Sequence, residues 1–212
     1  MERIVCLAIG YVCGLFQTAY IYGKMNGIDI REHGSGNAGT TNALRVLGKK
    51  AGLIVFLGDV AKCVLAVTVC RLLFAKSCPD ILPLLGIYAA AGAILGHNFP
   101  VNLGFKGGKG IACTAGLIVT LGPIVTVLEL ITFLLIVIFT RYVSLGSIVV
   151  VIELVISVIV LGQMGYYGMS QGSLIEFYVV AAALAAMAIY RHRSNIKRLL
   201  SGTENKVFQK KS

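Results

Sequence analysis

The feature that most constrains this chain is its series of long apolar runs. Segments 4–23, 52–75, 81–98, 111–140, 143–162 and 174–190 each carry few or no charged residues. About 20 such residues in a helix span the hydrocarbon core of a bilayer. Lipid offers the backbone no hydrogen-bonding partners, so each run must satisfy its own N–H and C=O groups, and a helix does so. The composition agrees: 57% of the 212 residues are hydrophobic and only 13% are charged, where a soluble domain has about a quarter charged. The predicted fold class is an all-α integral membrane protein, a single polytopic domain over residues 1–212 with no separate soluble part. The first run opens MERIVCLAIG without a small-residue cleavage site, so it reads as a retained membrane helix rather than a signal peptide.

Run 111–140 is too long for one ordinary span and is interrupted by LGP at Leu121–Pro123, where proline removes a backbone donor and clashes with the preceding turn. Charge tests whether the interruption matters. Five of the 19 Lys and Arg lie in 24–50, two in 99–110, one is Arg141, and seven lie in 191–212. The connections 76–80 and 163–173 contribute only Lys76. If 111–140 crosses once, the basic tail falls opposite the first two basic loops. If it passes twice, as 111–121 and 123–140, all four basic regions share one face, which the positive-inside bias favours. The expectation is therefore a seven-segment transmembrane helical bundle, amino terminus outside and carboxyl terminus cytoplasmic. Segment 111–121 would be only about 16 Å long, a half-helix of the kind found around polar cavities. The net charge of +10 is then a loop property and does not imply nucleic acid.

The six cysteines show no metal-type spacing, five of them fall inside apolar runs, and they read as small buried hydrophobes. The histidines His33, His97 and His192 lie at edges of basic regions without a paired spacing, so no zinc site is expected. Asp59 and Lys62 are three apart in the second run and read as a local ion pair supporting the neighbouring loop. Glu129 and Glu153 are intramembrane carboxylates to which the sequence assigns no role.

The loops carry the chemistry. EHGSGNAGTTNALR, residues 32–45, formally contains G-x-G-x-x-G, but no strand precedes it, which excludes a dinucleotide fold. GFKGGKG, Gly104–Gly110, is one residue short of a P-loop and lacks its Ser/Thr. What both share is glycine-rich backbone at helix starts, able to turn N–H groups toward an anion. Arg45, Lys106 and Lys109 add full charges; Ser35, Asn37, Thr40, Thr41 and Asn42 add neutral donors and acceptors. One such loop is most simply a tight turn or a lipid-headgroup contact. Two on one face, with further basic clusters RYVSLGS (Arg141–Ser147) and RHRSNIKRLLSGTENK (Arg191–Lys206), point to an internal phosphate site. In and after the last cluster, Lys197, Arg198, Lys210 and Lys211 are expected to anchor to anionic lipid, and for Arg191 and Arg193 such anchoring is the simplest alternative to a place in the site.

SGNAGTTN, GHNFP…FKGGKG, RYVSLGS and RHRSNIKRLLSGTENK, in that order between apolar helices, resemble the bacterial acyl-phosphate:glycerol-3-phosphate acyltransferases, the PlsY family. The resemblance covers about residues 4–207. Ala38 stands where many members have proline. The resemblance implies a seven-helix bundle in the bacterial cytoplasmic (inner) membrane with a cytoplasm-facing active site; no cofactor or metal is expected. It implies transfer of a fatty acyl group from acyl phosphate to the 1-hydroxyl of glycerol 3-phosphate, giving lysophosphatidic acid and inorganic phosphate. Its partners would be those two substrates, membrane lipids and an enzyme that produces acyl phosphate.

On that basis Lys106, Arg45 and Ser35 are expected to hold the phosphate of glycerol 3-phosphate. Ser144, His192 and Asn195 are expected to orient its hydroxyls. The backbone of Gly36–Gly39, with Asn37 and Thr41, is expected to cradle the acyl phosphate, assisted by Lys109 or His97. Catalysis is assigned to His192, Asn195 and Lys106, the proton acceptor being either His192 or a phosphate oxygen of the substrate. The competing reading is a transporter of phosphate esters, which would need polar access from both faces. A headgroup phosphotransferase would need a carboxylate cluster for magnesium, and these loops have none.

Overall fold

The computed structural model describes residues 1–207, so Lys210 and Lys211 lie outside the described residues. Ten α-helices follow in order: α1 Glu2–Gly14, α2 Thr18–Met25, α3 Thr40–Leu47, α4 Lys49–Phe74, α5 Leu82–Asn98, α6 Ile111–Leu121, α7 Pro123–Thr140, α8 Val143–Gln163, α9 Gln171–Arg191 and α10 Arg193–Leu200. Six stretches among the described residues are long and apolar enough to cross a membrane, and α6 is a shorter apolar helix beside them. The Val- and Ile-rich sequence of α8 is helical despite its β-branched content, because in lipid only a helix closes its hydrogen bonds within one segment.

Helices α1 and α5 form the closest-packed pair of the bundle. Gly10 and Gly14 on α1 face Gly92 and Gly96 on α5, and a methyl group on any of the four would overlap a backbone carbonyl of the opposite helix. Such small-residue spacing lets two helices pack backbone to backbone where no hydrophobic drive exists between them. α4 packs on both helices and α6 on α4 and α5, with Cys63, Val67, Leu84 and Leu117, and Phe177 of α9, fully buried.

The first apolar run, expected as one helix over 4–23, is two helices, broken at Leu15–Gln17. The cause is Gln17, 2% exposed, whose Nε2 donates to the carbonyls of Gly14 (3.1 Å), Gly96 (3.2 Å) and His97 (3.2 Å). These bonds replace part of what the interrupted helix gives up. At the Gly122–Pro123 step, Gly122 adopts φ +116° and Pro123 begins α7.

Helix α7 is largely exposed and buries only Val125 and Glu129. Thr132 ties it to α8 by donating to Glu153 Oε1 at 3.0 Å. Glu129 is 1% exposed, and neither carboxyl oxygen has a partner among the described residues.

Candidate active site

At one end of the bundle, the loops before α3 and α6 meet the α7–α8 turn, the end of α9, and α10. They enclose a cavity of about 1210 Å³, larger than the ~300–1,000 Å³ of ordinary small-molecule pockets.

The first wall is the loop before α3. Asn42, 2% exposed, braces it: Oδ1 accepts from Ser35 N–H at 2.8 Å, and Nδ2 donates to the carbonyls of His33 (2.9 Å) and Ile30 (3.1 Å). Gly36 follows at φ +69°, a left-handed conformation that glycine adopts without strain. Asp29 sits at the loop's base, doubly bonded to Arg31, whose guanidinium holds that carboxyl well below the usual range. Ser35, Gly36, Asn37, Gly39, Thr41 and Arg45 all line the cavity from this wall.

The second wall is the loop before α6, carrying Lys106 and Lys109 into the cavity. Its glycines are also packing positions. A Cβ on Gly108 would overlap the Nε2 edge of His97, and Gly108 N–H donates to the His97 carbonyl at 3.1 Å. Arg191, which the sequence leaves open between lipid anchor and site residue, lines the cavity and grips this loop, donating from Nη2 to the Gly108 (2.6 Å) and Gly107 (3.3 Å) carbonyls. Arg193 does stay exposed, over the Tyr190 ring.

The third wall comes from the carboxyl-terminal region. Glu204 accepts from Ser144 Oγ (2.9 Å), Asn195 Nδ2 (2.7 Å) and Arg198 Nε (2.7 Å). Burial works against its charge, but these donors outweigh it and hold the carboxyl below its ordinary value. Asn195 Oδ1 in turn accepts from Lys109 Nζ, so α10, the tail and the second loop form one hydrogen-bonded unit. Arg198 is therefore a site-wall residue and not a lipid anchor, whereas Lys197 is exposed. Val207 N–H closes the tail onto the Arg141 carbonyl at 2.9 Å.

His192 also lines the cavity. Its Nδ1 donates to the Ala188 carbonyl at 2.8 Å, which leaves Nε2 as the unprotonated nitrogen of a neutral ring. Burial, helped by the Lys109 charge, pulls its pKa down to about 4. Burial, followed by the nearby Arg198, pulls Lys109 down to about 8. Beneath the two loops, Asp59 pairs with Lys62 at 2.8 Å. The pair touches His97 and the α1–α2 break, so it supports the second loop through His97. Asp59, His97 and Cys113 bring ligand-type atoms within 4.8 Å of one another, but the Lys62 ammonium lies between Asp59 and His97 and already supplies the positive charge a metal would bring.

All twelve residues expected from the sequence thus line one cavity. Arg191, Arg198 and Glu204 join them. Their contacts link positions up to 84 residues apart, which no local motif encodes. Arg45, Lys106, Lys109 and Arg191 have no carboxylate partner among the described residues, while Arg31 and Arg198 do. Four uncompensated cations around a glycine-rich cradle can hold strongly charged anions. On its other side the cavity is walled by Phe133, Leu134, Val137 and Ile138 of α7, an apolar surface continuous with the lipid-facing helix.

Fold and site together define an all-helical integral membrane protein with a cavity suited to anions that carry an apolar tail. A family model for glycerol-3-phosphate acyltransferase matches residues 4–202. A glycerol-3-phosphate acyltransferase of Clostridioides difficile is 44% identical over 210 residues, covering 98% of this chain and 97% of that protein. One from Alkaliphilus metalliredigens is 38% identical over 213 residues, covering both chains fully. The crystal structure of PlsY, an integral membrane glycerol 3-phosphate acyltransferase, in its glycerol 3-phosphate form superposes with a TM-score of 0.83 at 32% identity. That match covers 99% of this chain and 100% of that one; the lysophosphatidic acid form gives 0.80 over 97% and 95%. The chain belongs to the PlsY family of glycerol-3-phosphate acyltransferases.

Proposed function

We propose that this protein transfers a fatty acyl group from acyl phosphate to the 1-hydroxyl of glycerol 3-phosphate, releasing lysophosphatidic acid and inorganic phosphate. The observation that carries this reading is the pairing, in one cavity, of four uncompensated cations with an apolar wall on α7. Two phosphates side by side repel, so a cavity that holds both needs cations distributed around it. In this reading Ser35, Arg45 and Lys106 bind the phosphate of glycerol 3-phosphate. The Gly36–Gly39 backbone, Asn37, Thr41, Lys109 and His97 bind the acyl phosphate, whose chain follows α7 into the inner leaflet. Ser144, Asn195 and His192 orient the glycerol hydroxyls.

The C1 hydroxyl oxygen attacks the acyl carbonyl carbon, and the bond from that carbon to the phosphate oxygen breaks with its electron pair leaving on phosphate. Donors preorganised at the carbonyl and phosphate oxygens stabilise the charge that develops. A ring whose pKa lies at about 4 is a weak base near neutral pH. We therefore assign proton acceptance to a phosphate oxygen and hydroxyl alignment to His192 Nε2. We also infer a single domain with seven membrane segments, α6 and α7 being two of them. The basic loops then share the cytoplasmic face of the inner membrane, with the amino terminus outside. An enzyme making acyl phosphate would act upstream.

The test is mass spectrometry of the product formed from palmitoyl phosphate and glycerol 3-phosphate labelled with ¹⁸O at the C1 hydroxyl. The proposal expects palmitoyl lysophosphatidic acid that retains the label in its ester. Absence of this product, with labelled glycerol 3-phosphate accumulating inside proteoliposomes, would replace it with the transporter reading.

A further inference from the structure

Directly beneath the two loops lies a buried charged network of which the acyl-transfer scheme uses only His97. Asp59 is fully buried, Lys62 is 6% exposed and His97 is 3% exposed. The Lys62 ammonium has three N–H groups and three acceptors: the Phe16 carbonyl at 2.7 Å, Asp59 Oδ1 at 2.8 Å and His97 Nδ1 at 2.9 Å. Thr18 Oγ1 adds a bond to Asp59 Oδ1 at 3.1 Å. An ammonium can only donate, so the nitrogen it meets on His97 must carry a lone pair. The ring proton then sits on Nε2. That edge of the ring lies against Gly108 and lines the cavity, and it has no partner among the described residues.

The other two histidines are held the opposite way. Nδ1 of His192 meets the Ala188 carbonyl at 2.8 Å, and Nδ1 of His33 meets the Asp29 carbonyl at 2.9 Å. A carbonyl only accepts, so both rings carry their proton on Nδ1. His97 is the one histidine locked in the reverse tautomer, and the lock is an ion pair placed inside the bundle, where charge is costly.

We infer that Asp59 and Lys62 are positioning residues for the transfer step: they fix His97 as the Nε2–H tautomer, so that it donates a hydrogen bond to an oxygen of the acyl phosphate. The inference rests on the acyl-transfer reading for its substrate, while the tautomer itself stands on geometry alone. The ring's place between the loops fits this role, since the Ala38 carbonyl of the first loop is 2.7 Å from where a Gly108 Cβ would be. A donor there reaches a group cradled by Gly36–Gly39. Without Lys62, Asp59 Oδ1, 3.6 Å from Nδ1, becomes the nearest acceptor. It draws the ring proton to Nδ1 and turns a donor into an acceptor at the cavity edge.

Two measurements test this. Ring-¹⁵N NMR of the protein labelled at its three histidines, assigned with His33→Gln and His97→Gln variants, reads the tautomers directly. The expected spectrum at neutral pH has His97 protonated at Nε2 and His192 at Nδ1; a His97 ring protonated at Nδ1 overturns the inference whatever the enzyme does. The second is a kinetic cycle with the charge-balanced variant Asp59→Asn/Lys62→Met, in which no ammonium holds the Nδ1 lone pair and the ring is free to take either tautomer. Its kcat is expected to fall on the order of 10²-fold, the cost of one lost transition-state donor, with KM for glycerol 3-phosphate within about twofold. In a His97→Gln background, whose amide needs no tautomer lock, the same pair of substitutions is expected to lower kcat no further. An equal loss in both backgrounds makes the pair merely structural and refutes the positioning role. If the double variant does not fold, the NMR spectrum of the unsubstituted protein decides alone. Loss of the acyl-transfer reading would show separately, as no turnover with a correctly protonated His97.

Discussion

Glu204→Gln is the sharpest test of how the carboxyl-terminal wall is built. In the native protein one carboxylate oxygen accepts from Ser144 and Asn195 and the other from Arg198. A glutamine can keep the first two bonds only by turning its amide nitrogen toward Arg198 Nε, placing two donors face to face at 2.7 Å. The change removes one charge-assisted bond, worth about 1.5–3 kcal/mol, and reduces two others to neutral strength. Arg198 is 37% exposed, so solvent screening trims that sum, leaving a loss of roughly 2–4 kcal/mol in the docking of α10 and the tail. Hydrogen exchange resolved by segment reads it directly. Amides of α10 and residues 201–207 are expected to exchange about 30-fold to several hundredfold faster, with α4 and α5 unchanged. Unaltered protection in α10 would show that Glu204 does not hold this wall.

Other expectations follow from burial and packing. Gly92→Ala places a methyl against the Leu7 carbonyl and is expected to lower stability by about 1–3 kcal/mol; Gly172→Ala, in open space, is expected to be neutral or slightly stabilising by thermal melts in detergent. Glu129→Leu removes a carboxyl with no partner among the described residues and is expected to raise Tm, by about 1–3 kcal/mol of stability; a lower Tm would show that the carboxyl has a bonding role. His192 has an ordinary pKa of 6.5 when unfolded and about 4 when folded, so the unfolded chain binds the proton more readily. The stability this contributes is present above 6.5 and is lost as pH falls toward 4. Melts across that window are expected to show a slope that His192→Gln reduces, and an unchanged slope would exclude His192 as its source.

Much of this architecture is legible in the sequence because lipid removes alternatives. The Val- and Ile-rich α8 would suggest a strand in water, yet an apolar run of this length must be helical in a bilayer. The α6–α7 break is written in Gly122–Pro123. The α1–α2 break is not, because it depends on Gln17 meeting carbonyls of Gly96 and His97, about 80 residues away. The site divides similarly. Charged and glycine-rich loops announce an anion cradle through composition, and all twelve expected residues line one cavity. Arg198 looks like a lipid anchor in sequence, and Arg191 stays open between anchor and site residue, because a basic tail beside a membrane span usually anchors. Their partners, the Gly107 and Gly108 carbonyls and Glu204, become visible only when the tail folds back over the loops. The glycines of GGKG carry a second constraint that sequence leaves hidden, the close passage of the chain over His97.

Acyl transfer between two phosphate-bearing substrates in one cavity is what separates the proposed reaction from transport. It is tested most directly by phosphate release from the purified protein given palmitoyl phosphate, with and without glycerol 3-phosphate, and with palmitoyl-CoA as the alternative donor. Phosphate release is expected to require glycerol 3-phosphate, with no acylated product from the CoA donor. Acylation of glycerol 3-phosphate from palmitoyl-CoA alone, with palmitoyl phosphate left intact, would contradict it.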